Sequence, residues 1–256
     1  MTPLPHHLDR SITIRASRDT VFRYFTDSAR WAAWWGAGST IDPTPGGRVY
    51  VRHPNGIEAS GAVVEVTSPD RIVFTYGFES GKPIAPGTSL VTIRLEARGA
   101  DTRLILTHAF ADEAPRDAHV QGWRYQLSVF SNVVSNELHA NVAAVVGAWF
   151  AAWNELDAAA RKAQLDTATT PAVQFRDRYS VIDGRDELDA QLAAVHRFMP
   201  GITLEARGAV RQCQGTALVD WVMLGPKGEA HGGGTNVFNL SADGRIESAV
   251  GVPLPL

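Results

Sequence analysis

Between Gly46 and Phe110 apolar and polar residues alternate with a period of two through five successive runs: "GRVYVRH", "EASGAVVEV", "RIVFTYGF", "SLVTIRLEA" and "TRLILTHAF". Turn signals such as "HPNG", "SPD", "APG" and "RGAD" separate them. Alternation bounded by Pro, Gly, Asn and Asp predicts strands, and such short turns predict an antiparallel meander. Ahead of the meander, "SITIRA" predicts one more strand and "SRDTVFRYFTD" a helix. Ser17 can cap that helix, Asp19 suits the positive end of its dipole, and Val21, Phe22 and Phe25 form an apolar face. Behind the meander the period lengthens. Val120, Trp123, Leu127, Phe130 and Val134 then fall on one stripe of a long helix.

The second half begins again with helix. "ANVAAVVGAWFAAWNELDAAARKAQL" predicts two helical stretches broken near Asn154 to Asp157. "AVQFRDRYSVI" predicts two short strands, and "GRDELDAQLAAVHRF" a helix with Asp183 as its cap. Four more strands are predicted, in "ITLEARGAVRQ", "TALVDWVML", "HGGGTNVFNL" and "RIESAVGV". No Pro- or Gly-rich linker separates the halves, so the boundary near Leu138 to Asn141 reads as a helix-to-helix kink.

Composition narrows the class. The chain has 256 residues, 45% hydrophobic and 20% charged, which is globular and large enough for two domains. A net charge of −3 gives no general attraction to nucleic acid or anionic lipid. No apolar run approaches the roughly 20 residues that span a bilayer, and "MTPLPHHLDR" carries no export signal, so a cytoplasmic location is expected. Cys213 is the single cysteine and reads as an inert buried thiol.

Strand alternation places candidate chemistry. If Val49 and Val51 point inward, so does His53; Tyr76 shares a face with Ile72, Phe74 and Phe78, and His108 with Leu104, Leu106 and Phe110. An apolar cavity with a few isolated polar groups suits a small molecule, whereas no tight ligand spacing points to a metal. Trp31, Trp34 and Trp35 have the spacing of a short helix and read mainly as core, with one of them available to a ligand. "HGGGTN" precedes a strand and so differs from a phosphate loop; Gly232 and Gly234 would leave unfilled volume beside Asn236.

The ordered motifs "RASRDTVFRYFTDSARWAAWWG", "PGGRV", "GAVVEVTSPDRIVFTY", "VTIRLEARGADTRLILTHAF" and "GWRYQLSVFSNV" resemble the START-like SRPBCC superfamily. The branch is that of proteins similar to activators of the heat-shock-protein-90 ATPase. The resemblance covers about residues 9 to 138. It implies a curved antiparallel sheet gripping a long C-terminal helix around a cavity. The motifs "VVGAWFAAWNELD", "VQFRDRYSVIDGRDELDAQL" and "GTNVFNLSADGRIESAVGV" resemble the SnoaL-like branch of the nuclear-transport-factor-two-like fold, a cone of curved sheet closed by helices. The expectation is therefore an α+β chain of two domains, residues 1–138 and 139–256.

The resemblances also imply sites. Trp35, His53, Tyr76, His108 and Trp123 in the first domain and Trp149 in the second are the candidate ligand-binding residues. Asp177 stands where isomerase-like members carry a general base, with Asn236 as a hydrogen-bond donor beside it, and these are the candidate catalytic pair. Flanked by Arg176 and Arg178, Asp177 also reads as an ion-paired turn residue. Binding of a small apolar or aromatic metabolite is the leading expectation. A SnoaL-like isomerase, cyclase or hydrolase and a chaperone-related interaction protein are the alternatives. No cofactor is implied, nor a nucleic-acid or membrane partner. Pairing of two copies through the outer face of the second domain's sheet, with Trp221 contributing, is the protein partner the resemblance implies.

Overall fold

The alternating runs form the strands they predict. In the computed structural model, which describes residues 3–254, the described residues fall into two compact units divided between Val134 and Ser135. The first opens with β1 (His6–Ile14), α1 (Arg18–Phe22), a turn of 3-10 helix over Arg23–Phe25, and α2 (Ser28–Trp35). The meander follows as β2 (Thr40–Ile41), β3 (Arg48–Arg52), β4 (Glu58–Thr67), β5 (Arg71–Tyr76), β6 (Ser89–Arg98) and β7 (Asp101–Phe110), and then α3 (Glu113–Leu138). These strands make an antiparallel sheet in the order β1-β7-β6-β5-β4-β3-β2.

Ser17 caps α1 as predicted, its Oγ accepting the Thr20 amide at 3.3 Å, and Asp27 caps α2 through the Arg30 amide at 2.8 Å. Trp123, Leu127, Phe130 and Val134 carry α3 onto the core. Phe130 packs against Tyr24, Phe25 and Trp34 at ring separations of 5.6, 5.2 and 4.9 Å. Trp31 is fully buried and donates its Nε1–H to the Tyr50 carbonyl at 3.1 Å. Two of the three clustered indoles, Trp31 and Trp34, therefore staple the core.

Two glycines allow backbones to meet where the cavity will form. Gly36 ends α2 at φ 140°, and a Cβ there would stand 2.3 Å from the Arg52 carbonyl oxygen. This close approach sets Trp35 beside the end of β3. At Gly61 in β4 a Cβ would stand 1.7 Å from the Thr75 carbonyl oxygen in β5, one residue before Tyr76.

The second unit contains α4 (Val142–Asn154), α5 (Ala158–Ala168), β8 (Thr169–Arg176), β9 (Val181–Asp183), α6 (Arg185–Phe198), β10 (Thr203–Cys213), β11 (Thr216–Leu224), β12 (Ala230–Leu240) and β13 (Ile246–Pro253). Its sheet runs β10-β11-β12-β13-β8-β9, antiparallel except for the parallel pair β13–β8. Trp149, Phe150, Trp153, Phe175 and Phe238 fill its core.

Four local expectations are corrected. Gly184, at φ 95°, is the cap of α6, while Asp183 accepts from Gln174 and its amide donates to Glu187 Oε2 at 2.8 Å. The Gly184 amide itself donates to the Val173 carbonyl at 2.8 Å, so no capping box forms. Cys213 ends the outermost strand β10 and is exposed. Trp221 shares a face with the buried Ala217 and Val219 and packs on the core, because two-residue periodicity carries it inward with them. The space over Gly234 is consequently occupied: a Cβ there would stand 2.9 Å from Trp221 Cζ2.

Since a Cβ at Gly61 has no room, Gly61→Ala is expected to lower unfolding stability by roughly 3 kcal/mol in urea titrations. A change within about 0.5 kcal/mol would contradict the close contact of β4 with β5.

Candidate functional site

Trp35 at the end of α2, His53 just after β3, Tyr76 at the end of β5 and Trp123 on α3 line one cavity of about 570 Å³ in the first unit. The sequence-predicted residues converge because four elements terminate or pass there. Phe78, Ile57, Pro83, His119, Gly122 and Gln126 complete much of the wall. The Trp35 ring lies 6.3 Å from Tyr76 at an interplanar angle of 22°, and 5.7 Å from Trp123 nearly edge-on. Such contacts hold the aromatic walls in defined orientations.

His108 stands behind this wall, wholly buried, and is not among the lining residues. Its hydrogen bonds determine its tautomer. Trp123 Nε1, which can only donate, reaches His108 Nδ1 at 2.9 Å, so Nδ1 is an acceptor. Nε2 therefore carries the proton and donates to Ser89 Oγ at 2.7 Å, and Ser89 in turn donates to the Tyr76 carbonyl at 2.7 Å. The chain Trp123→His108→Ser89→Tyr76 ties two cavity walls together. It also means that His108 cannot deprotonate Ser89, so the pair is no hydrolase dyad despite its short contact.

The other polar groups are neutral for a shared reason. Burial pushes His53 and His119 down from the ordinary histidine value, and it pushes the Tyr76 hydroxyl up. For His108 burial, reinforced by neighbouring His119, drives the value well below 6.5. His53 Nε2 lies 3.4 Å from Tyr76 Oη. His119 donates Nδ1–H to the Pro115 carbonyl at 2.7 Å. Among the described residues that line the cavity there is no Asp, Glu, Lys or Arg. No group of three or more His, Cys, Asp or Glu is placed to hold a metal ion among the described residues.

Residues 15–135 match the family model described as Activator of Hsp90 ATPase homolog 1-like protein. This stretch is an AHSA1-like domain. An AHSA1-like protein from Rhizobium etli is 30% identical, over 50% of this chain and 81% of its own, with a TM-score of 0.42. The Aha1 dimer from Colwellia psychrerythraea is 15% identical over 48% of this chain and 90% of its own, with a TM-score of 0.42. A SnoaL-like family protein from Agrobacterium tumefaciens is 24% identical, over 46% of this chain and 99% of its own, with a TM-score of 0.43. No curated protein matches the chain. No helix among the described residues is long and apolar enough to cross a membrane.

In the second unit Trp149 is fully buried against Phe175 and Phe238 at 5.6 and 5.5 Å, so its ring fills the core and lines no described cavity. Asp177 and Asn236 come together. The position of a Cβ on Gly251 would be 3.3 Å from Asp177 Cβ and 3.4 Å from Asn236 Oδ1. Asn236 is buried and Asp177 half-buried, its Oδ1 accepting the Tyr179 amide at 2.7 Å in a tight turn.

Burial of His108 has a stability consequence. Its folded value lies below its unfolded value near 6.5, so only the unfolded chain takes up the proton as the pH falls below that point. Stability is complete above about pH 6.5 and is expected to decline below it, by up to about 1.4 kcal/mol per pH unit from this residue. Urea titrations between about pH 7 and 5 should show a slope that His108→Gln reduces by one proton; an unchanged slope would contradict a neutral buried imidazole.

Proposed function

We propose that the protein binds a small apolar or aromatic metabolite in the cavity of its AHSA1-like domain. The observation that carries this is the cavity of about 570 Å³ walled by Trp35, Tyr76, Phe78 and Trp123, with sparse neutral polar groups. That volume and lining match what small-molecule sites need: apolar area for affinity and a few fixed donors and acceptors for orientation. The His108 relay supports the reading, since walls fixed in advance lose little freedom when a ligand enters. A melting screen of neutral aromatic and alicyclic compounds tests it. A ligand at 100 times its dissociation constant adds about 2.7 kcal/mol and raises the melting temperature. Binding should also quench tryptophan emission, because Trp35 and Trp123 line the cavity. A screen in which no compound shifts the melting point would contradict the reading.

A second reading is favoured by the juxtaposition of Asp177 and Asn236 beside Gly251. Here the second unit is an enzyme in which Asp177 takes a proton from a carbon next to a carbonyl and Asn236 holds the developing oxyanion. Its test is conversion rather than binding. Wild type should turn over a compound found in the screen, and Asp177→Asn should slow that at least about a hundredfold. Equal conversion by both proteins, or none by either, removes Asp177 from catalysis.

A further inference from the structure

The polar side chains that line the cavity differ in what their hydrogen bonds are used for. Trp123 donates its Nε1–H to His108, His119 its Nδ1–H to the Pro115 carbonyl, and Gln126 its Nε2–H to the Trp34 carbonyl. Each of these donors is spent on holding the fold. Trp35 Nε1 is sealed by packing, and Asn55 and Tyr125 are solvent-exposed. His53 and Tyr76 remain. Their side chains bond only to each other among the described residues, Nε2 to Oη at 3.4 Å. A buried phenol and a half-buried imidazole, loosely paired in an apolar cavity, are thus the polar groups that the fold itself does not use.

Their surroundings hold the pair in place without engaging its polar atoms. His53 opens the turn after β3, where its amide donates to the Ile57 carbonyl at 2.8 Å and its carbonyl accepts the Gly56 amide at 2.9 Å. Trp35 meets the His53 ring edge-on at 5.6 Å and lies nearly parallel to Tyr76. Burial lowers the His53 value, so the imidazole is unprotonated at neutral pH; it raises that of Tyr76, so the phenol keeps its proton. In the tautomer that donates Nε2–H to Tyr76 Oη, Nδ1 carries a bare lone pair and the Tyr76 hydroxyl hydrogen is free to turn toward an occupant. A base then stands beside a hydrogen-bond donor, which is what removal of a proton next to a carbonyl requires.

Resting on the ligand-binding reading above, we propose that the cavity of the first unit is also a proton-transfer site for cyclic ketones, with His53 as the base and Tyr76 as the donor to the carbonyl oxygen. The C–H bond next to the carbonyl breaks and its proton passes to His53 Nδ1. The electron pair forms the carbon–carbon double bond of the enolate, whose oxygen takes the negative charge under the Tyr76 hydroxyl. Return of a proton from Nδ1 to the same carbon, or to the far end of a conjugated system, completes an exchange or an isomerisation without net oxidation.

The test uses the full chain with 2-tetralone, a neutral bicyclic ketone, in D2O. Deuterium entry at the carbons beside the carbonyl is followed by NMR, and binding by saturable tryptophan quenching. Wild type should exchange these positions at least about a hundredfold faster than an equal concentration of free imidazole. His53→Gln should still bind the ketone and fall to the free-solution rate. Tyr76→Phe should bind it and exchange about tenfold or more slowly than wild type. If His53→Gln melts early, Tyr76→Phe, which keeps the ring, carries the test. Saturable binding with exchange at the free-solution rate, or exchange that either variant leaves intact, overturns the inference and leaves the ligand-binding reading standing. A wild type that neither binds nor exchanges tetralone overturns the inference as well, whereas the ligand-binding reading falls only if the whole melting screen is empty.

Discussion

The site depends on a histidine that never meets solvent. His108 accepts from Trp123 and donates to Ser89, which donates to the backbone of Tyr76. Each link has its direction imposed by chemistry: an indole can only donate, and a carbonyl can only accept. The relay links four elements, β5, β6, β7 and α3, and so fixes the walls at Tyr76 and Trp123 relative to each other. Its cost is a neutral imidazole held far from its ordinary titration range, which only a well-packed interior can maintain. The same low-dielectric interior that keeps His108 neutral favours an uncharged occupant in the cavity next to it.

The two units use the same materials differently. Both pack helices against one face of a curved sheet, and both place tryptophans on those helices. In the first unit, Trp35 and Trp123 stand around open volume. In the second, Trp149 and Trp153 close on Phe175 at 5.6 Å, so the aromatic area is spent on cohesion. Trp221 likewise covers Gly234 in β12. Asp177 and Asn236 flank Gly251 in this unit.

Much of this was legible in the sequence because strand alternation is a strict geometric rule. Once β3 and β5 are recognised, His53 and Tyr76 must face the same side as Val51 and Phe74. The rule even specified Trp221 as inward-facing, through Ala217 and Val219, and the resemblance to domains that pair across their outer face obscured that signal. What lay beyond reach was volume. Nothing near Trp149 in the chain says that Phe175 and Phe238 will meet it. His119 and Gln126 could have been found, since they flank Trp123 at helical spacing along α3. Cys213 was misjudged because position within a strand does not reveal that the strand is at the edge of its sheet.

The central claim, that the cavity between Trp35, Tyr76 and Trp123 is a ligand site, is tested most directly by the indole N–H resonances of the seven tryptophans. They would be followed by NMR in an isotope-labelled sample as naphthalenemethanol is added. The account predicts saturable shifts at Trp35 and Trp123, while Trp149, Trp153 and Trp221 hold their positions. Shifts confined to the second unit's tryptophans, or no shifts at all, would contradict it.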